Sequence, residues 1–297
     1  MGSGYKSMIA VRLQGRLGNQ LFQYVFIMAA SEKLSTNFYI DQFVEGSVVH
    51  RYFEIDLNTI DAINLFLNNI SGYKNFFSYY LRKAFNKCIS CAHNLKLEEY
   101  SFANDDSLIK IKDKTLYAGY FQSLFFINSF EDLIRRKLVI KKVLSQAFEK
   151  QFGALYQSKT IVTIHVRRTD YKNLKHLDLG NEDLSLPMSY YQNALLKITD
   201  KNLHYMFISD DITFVEENFG HINPKTISNE SEIIDFQHLL SSDICVISNS
   251  TFSWWGAWLN AKKNKVVYCP EYYLGFHLKK QIPQNIYPKE WRQVEFS

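Results

Sequence analysis

No stretch of this sequence approaches the roughly 20 consecutive apolar residues that a bilayer-crossing helix needs. Nor does it open with a charged segment followed by an apolar core and a cleavage site. A cytoplasmic protein is therefore expected, at most peripherally associated with the inner face of a membrane. Cysteine is scarce: Cys88, Cys91, Cys245 and Cys269 are too few in 297 residues for a disulfide framework. Cys88-Ile89-Ser90-Cys91 has the spacing of half a zinc site, but no second close pair completes it. All four are expected as reduced thiols. Charge of one sign is also lacking. With 34 basic against 30 acidic side chains the net charge is +4, too even for a protein whose main partner is nucleic acid. Repeats and low-complexity tracts are absent.

What is present is the composition of a packed globular chain, 46% hydrophobic and 22% charged, and its length suits two ordinary domains. The 23 Phe and 19 Tyr are read mainly as core. The second half alternates strand and helix. Ile161–Val166 and Tyr205–Ile208 are short apolar runs suited to buried parallel strands. A helix follows the second run, with Thr213 as its cap, Glu216 three residues on and Gly220 closing it. Next come a segment through Ile227, a helix near Glu232–Leu240, a strand Ile244–Ile247, a helix carrying Trp254, Trp255 and Trp258, and a strand Val266–Tyr268. Such alternation builds a doubly wound sheet, with ligands outside the carboxyl ends of its strands. The first half opens likewise, with a strand at Met8–Leu13, a turn at Gly15–Gly18 and helical spacing from Leu21 to Leu34. Residues from about 60 to 150 read as mostly helical and irregular, with Phe76, Phe77, Tyr79, Tyr80 and Phe85 in a core. The domain boundary is placed near Gln157-Ser158.

Four segments put polar residues at the ends of expected strands. Gln14-Gly15-Arg16-Leu17-Gly18-Asn19-Gln20 joins a strand to a helix; it is either a tight turn with a helix cap or a place where backbone N–H groups meet a ligand. It is neither a dinucleotide fingerprint nor a Lys-Ser/Thr phosphate loop. His165-Val166-Arg167-Arg168-Thr169-Asp170-Tyr171 puts two arginines at the exit of a buried strand, where a guanidinium is costly unless it meets an anion. A diphosphate or an internal Arg–Asp pair would serve, and one arginine is expected to do each. Ser209-Asp210-Asp211 is a helix cap or a site. Ser248-Asn249-Ser250-Thr251 offers hydroxyls at a strand-to-helix junction, ahead of tryptophans that pack as core. No Asp-x-Asp triplet occurs, so the usual carboxylate device for a sugar-nucleotide metal is missing and cationic side chains would stabilise a diphosphate leaving group.

Taken in order, these segments resemble the motif set of the bacterial α1,2-fucosyltransferase family and, more distantly, the α1,6- and protein O-fucosyltransferases. The resemblance spans residues 8 to about 260. It implies an α/β, GT-B-like fold of two Rossmann-like lobes facing across a cleft: an acceptor-side lobe, 1–157, and a GDP-sugar-binding lobe, 158–297. The implied reaction is inverting and free of metal and cofactor, with L-fucose passing from GDP-fucose to the 2-hydroxyl of a terminal galactoside. The implied partners are GDP-fucose and a galactose-terminated or lipid-linked bacterial glycan. By the same analogy Arg167 meets the donor β-phosphate, His165 lies close to GDP, and Arg168 stands beside them in a mainly structural role. Asp235 holds guanine with Asp211 nearby, and Asn249, Ser250 and Thr251 line the phosphates. Gln14, Gly18, Asn19 and Gln20 belong to the acceptor side, with Asn19 where sugar and acceptor meet. The glutamate that follows the arginine motif in the α1,6 relatives is replaced by Lys172–Lys175. Asp170 is the nearest candidate base, Asp178, Glu182 and Asp183 are further ones, and late proton loss to the diphosphate is the alternative. Transfer of another GDP-sugar or to another hydroxyl, and a non-catalytic nucleotide- or glycan-binding protein, stay open. Because neighbouring strand residues point to opposite sides, Arg167 is expected to face the donor and Arg168 to turn into the protein, towards Asp170.

Overall fold

The computed structural model describes residues 7–69, 76–101 and 109–296. It divides into two compact units, Met1–Ile140 and Lys141–Ser297. In the first, β1 (Met8–Arg12) passes through a glycine turn into α1 (Leu17–Leu34). There follow β2 (Asn37–Asp41), α2 (Val49–Tyr52), α3 (Thr59–Asn69), α4 (Phe76–Ala92), β3 (Lys96–Glu99), β4 (Thr115–Ala118), α5 (Leu124–Asn128) and α6 (Glu131–Lys137). The four strands form a parallel sheet in the order β2-β1-β4-β3. α1 is buried on nearly all sides from Leu17 to Ala30, and so reads as an apolar run rather than as one stripe. It ends where Ser35 takes a left-handed conformation (φ 50) and its N–H bonds back to Glu32.

The second unit holds α7 (Lys142–Ser158), β5 (Thr160–Val166), α8 (Met188–Leu196), β6 (Leu203–Ser209), α9 (Ile212–Phe219), β7 (Lys225–Ile227), α10 (Glu232–Ser241), β8 (Ile244–Val246), α11 (Thr251–Leu259), β9 (Val266–Pro270) and β10 (Arg292–Val294). Its sheet is parallel throughout, ordered β10-β9-β8-β5-β6-β7. Counted from its own first strand this is the 3-2-1-4-5-6 order of a Rossmann fold, and the chain switches sides between β5 and β8. Val162, Ile164 and Val166 of β5 pack with Phe207, Val246 and Tyr190 in its core. Trp254 and Trp255 are fully buried, and Trp254 Nε1 donates to the Ile286 carbonyl at 2.8 Å. Among the described residues no helix is long and apolar enough to cross a membrane.

The structure departs from the sequence reading in four places. The boundary falls at Ile140–Lys141 rather than near Gln157-Ser158, because α7 packs on α10: Phe148, Phe152 and Tyr156 ring His238 at 4.5–5.9 Å between centroids. The stretch from 60 to 150 contains β3 and β4, short strands whose pattern is hidden between helices. The aromatics of α4 are not core. Phe76, Phe77 and Tyr80 are 76%, 59% and 49% exposed, while Ser78, Arg82 and Asn86, one helical turn apart, are buried. That face is polar because Asn86 exchanges two amide hydrogen bonds with Asn64 of α3 (3.1 and 2.8 Å) and Arg82 Nη1 donates to the Gln42 carbonyl. Finally, α9 is capped by Asp211, whose carboxylate accepts from Phe214 N at 3.1 Å, and not by Thr213.

Candidate active site

The switch between β5 and β8 is where an open α/β sheet leaves a crevice at the carboxyl ends of its strands. His165, last but one in β5, is 4% exposed, and its Nδ1 lies 2.7 Å from Ser248 Oγ beyond β8. Burial first, and then the charge of Arg167, push the imidazole down to about 3, so it is neutral at pH 7. His165 therefore brings hydrogen bonds to this crevice rather than charge.

Arg167 and Arg168 follow, and Asp210, just past the end of β6, organises both. Its Oδ1 accepts from Arg168 N at 2.9 Å, and its Oδ2 from Thr169 N at 3.2 Å and from the Thr169 hydroxyl. Its Oδ2 also lies 3.3 Å from Arg167 Nη1. Burial acts to raise the Asp210 carboxyl, but the Thr169 hydroxyl, the Arg167 charge and the Arg168 N–H outweigh it and hold it below the usual range. Arg167 Nη2 pairs with Asp170 Oδ2 at 2.7 Å. Arg168 Nε and Lys172 Nζ each stand 3.3 Å from Asp211 Oδ2, and the Arg168 guanidinium lies 3.8 Å over the Phe214 ring.

The expected partition of the arginines is thus corrected. Arg168 does turn into protein, but to Asp211 and Phe214; Asp170 belongs to Arg167. Asp170 opens a short 3-10 turn, Asp170–Asn173, three residues beyond Arg167, and strand alternation no longer applies between them. Of the other acids of this loop, Asp183 is tied to Ser185 N and Oγ, and Asp178 sits in a left-handed conformation at the end of a second 3-10 turn.

Ser248-Asn249-Ser250 leads into α11, with Ser250 at the N-cap position. Its side chain makes no capping bond. Asn249 is fully buried, donates from Nδ2 to the Leu184 carbonyl at 2.8 Å, and receives the Tyr171 hydroxyl on its own carbonyl at 3.0 Å. Its side chain thus braces the turn rather than facing outward. Ser250 is nearly buried and Thr251 half-buried. The start of α11 with the guanidinium of Arg167 forms a set of donors suited to a small polyanion.

Asp235 stands outside this cluster, on the first turn of α10, where its carboxylate accepts from the Ser228 hydroxyl just beyond β7. Burial outweighs that bond and lifts its pKa to about 6, helped by the charges of Glu230 and Glu232. Both groups flank the carboxyl edge of the sheet, Asp235 through Ser228 and the arginines through β5.

In the first unit the sequence turn sits at the matching place, beyond β1 where it neighbours β4. Gly15 needs its glycine: φ is +75, and a Cβ would come 2.5 Å from Asn19 Nδ2. Asn19 Oδ1 accepts from Gln122 Nε2 at 3.0 Å, and Gln23 Nε2 donates to the Gly119 carbonyl at 2.9 Å, so the loops after β1 and β4 are joined. Gln20 and Gly18 are buried. The Gln20 amide donates to the Gly15 and Gly46 carbonyls (3.1 and 3.0 Å) and accepts from Val48 N at 2.7 Å, which leaves it shaping the turn rather than reaching a ligand. Gln14 is half-buried, with its N–H on Gln23 Oε1. Sequence reasoning missed the parts played by Asp210, Tyr171 and Phe214. Asp210 lay inside a flagged segment, but the hub it forms depends on β5 and β6 pairing in register, His165 opposite Ile208 and Val166 opposite Ser209.

The second unit thus carries two arginines and a helix start without a side-chain cap at the switch point of a six-stranded Rossmann-type sheet. Residues 2–295 match the profile of glycosyl transferase family 11, and the chain belongs to that family; it is a glycosyltransferase. It is 25% identical over 299 residues to an α-1,2-colitosyltransferase of Escherichia coli, covering 97% of this chain and 99% of the relative. It is also 25% identical to the O-antigen biosynthesis glycosyltransferase WbnK of Escherichia coli, over 92% of this chain and 97% of the other. Among solved structures it resembles the fucosyltransferase NodZ from Bradyrhizobium (TM-score 0.54, 12% identity, 86% of this chain and 92% of the other). It also resembles POFUT1 in complex with GDP-fucose (TM-score 0.52, 12% identity, 90% and 98%). These likenesses show the GT-B type of fold.

Proposed function

We propose that this chain transfers L-fucose from GDP-fucose to the 2-hydroxyl of a terminal galactoside in a bacterial glycan, with inversion and without a metal. The observation that carries the reading is the Arg167 guanidinium held at the end of β5 and joined through Tyr171 to the start of α11. A metal-free transferase needs such cations and N–H groups where leaving-group charge develops. The α-1,2-colitosyltransferase supports the linkage, and the solved relatives with GDP-fucose support the donor.

In this reading the acceptor hydroxyl attacks C1 of fucose from the face opposite GDP, the C1–O bond to the β-phosphate breaks, and its electron pair stays on the diphosphate beside Arg167. His165, Ser250 and Thr251 help to hold the phosphates, with Asn249 and Arg168 bracing the elements that carry them, and Asp211 holds Arg168 and Lys172. Asp235 pairs with guanine. The acceptor proton goes to Asp170 or, late, to the departing diphosphate. Gln14 and Asn19 of the first unit meet the acceptor, on a turn shaped by Gly18 and Gln20. The acceptor is galactose-terminated or lipid-linked, and the reaction takes place in the cytoplasm. A second donor is favoured by one relative's specificity: colitose, which is fucose lacking its 3-hydroxyl. Turnover of a panel of GDP- and UDP-sugars on lactose-type acceptors, in excess EDTA, tests the proposal. GDP-fucose should be used best; preference for a UDP-sugar, or activity that returns only with Mn²⁺ or Mg²⁺, would overturn it.

A further inference from the structure

Three hydrogen bonds close a ring behind the phosphate donors. The Tyr171 hydroxyl donates to the Asn249 carbonyl at 3.0 Å, Asn249 Nδ2 donates to the Leu184 carbonyl at 2.8 Å, and Leu184 N donates to the Tyr171 carbonyl at 2.8 Å. The same tyrosine ring lies 5.8 Å from the Arg167 guanidinium carbon, within cation–π range. One side chain therefore reaches both the arginine just past β5 and the turn that starts α11. These two elements come from strands on opposite sides of the switch point, and no strand pairing extends as far as either: the β5–β8 register ends at Ile164 opposite Val246. Beyond that point their spacing is set by side chains.

We propose that Tyr171 is a positioning residue that sets the distance between the Arg167 guanidinium and the N-terminus of α11, so that both grip one diphosphate in the transition state. This rests on the donor reading above. A cation and a helix start that must act on the same phosphates lose effect when their spacing fluctuates, because preorganised donors owe their strength to needing no rearrangement as charge develops. The half-buried ring, held at both ends, supplies that rigidity: desolvation pushes the Tyr171 hydroxyl up to about 12, so it stays protonated and donating across the working pH range. Its body keeps Arg167 in place while its hydroxyl pins the Asn249 backbone.

The test uses the full-length enzyme with GDP-fucose and lactose. Tyr171→Phe removes one hydrogen bond and keeps the ring, so kcat should fall roughly fivefold to tenfold, the effect of one such bond, with GDP-fucose KM changed far less. Asn249→Ala opens the same ring at a second bond and should give a similar kcat loss even if Tyr171→Phe folds poorly. The double variant should lose less than the product of the two. A merely structural tyrosine would lower the melting temperature and leave kcat of the folded enzyme untouched. Wild-type kcat in either single variant, or fully multiplicative losses, overturns the inference while leaving the donor reading intact. A wild-type enzyme that binds no GDP removes both.

Discussion

His165 Nδ1 and Ser248 Oγ meet at 2.7 Å across the gap between β5 and β8, beyond the point where those strands stop pairing. That contact marks the switch point of the second unit, and every cation of the candidate site lies within seven residues of it along the chain, from Arg167 to Lys172. Because the imidazole is neutral at pH 7, and Arg168 and Lys172 are turned to Asp211, the positive charge that the proposed reading sets against a diphosphate is that of Arg167.

Arg167→Lys keeps one charge and loses the planar fork. Its kcat should fall by about 10²–10³, since stabilisation of leaving-group charge acts in the transition state, while GDP affinity changes little. Steady-state kinetics with a parallel calorimetric titration of GDP measures both. A near wild-type rate would remove Arg167 from the chemistry.

Asp170 lies on Arg167 Nη2 at 2.7 Å and is 46% exposed. As a base or as a brace for Arg167 it is needed for turnover, so Asp170→Asn should lower kcat by at least about tenfold. A carboxylate that merely occupies the phosphate's place would give the reverse: tighter GDP binding with kcat retained. Measuring kcat and GDP affinity for the one variant separates the two roles.

On the proposed reading, Asp235 ties donor binding to pH. Its folded pKa of about 6 lies above the ordinary carboxylate value. If the carboxylate pairs with guanine, GDP affinity is fully present above pH 6 and declines as pH falls through it. Stability runs the other way: a raised acid binds its proton more tightly in the folded state, so its contribution grows as pH falls from about 6 towards 4. Asp235→Ala should cost about 2–3 kcal/mol of GDP binding, blur GDP over ADP and flatten the pH profile. Unchanged discrimination by calorimetry would take Asp235 out of the site.

Arg168→Ala removes the partner of Asp211, the cap of α9, and the cation over Phe214. The melting temperature should fall along with activity. A variant as stable as wild type yet inactive would place Arg168 on the substrate instead.

His238 gives a test of the fold apart from the site. Enclosed by Phe148, Phe152 and Tyr156, it is pushed down to about 4 by burial. The unfolded chain therefore takes up a proton near pH 6.5 that the folded one refuses, and stability is lost as pH falls from 6.5 towards 4. In urea melts, the advantage of wild type over His238→Gln at pH 8 should shrink across that window. A constant difference would contradict the buried, neutral ring.

The second unit was legible because its strands are buried on both faces and read as continuous apolar runs, with polar motifs at their ends. The strands of the first unit were harder. β3, Lys96–Glu99, is largely exposed at a sheet edge, and β4 is four residues long. α4 misled because its buried stripe is polar: Arg82 and Asn86 are satisfied by Gln42 and Asn64, partners that are distant in sequence. The arginine pairing was misjudged for a related reason. Strand alternation holds up to Val166, but the chain leaves the strand at Arg167, and there Asp170 pairs with Arg167 while Arg168 meets Asp211. Local pattern identifies which residues carry chemistry; which of them pair depends on the sheet.

The most direct measurement is the structure of the product. Incubating the enzyme with GDP-fucose and lactose in EDTA and solving the trisaccharide by NMR reports donor, linkage and stereochemistry together. The account predicts fucose in α linkage to O2 of the terminal galactose, inverted from the β-linked donor. A β-linked product, attachment at another hydroxyl, or no transfer without added metal would contradict it.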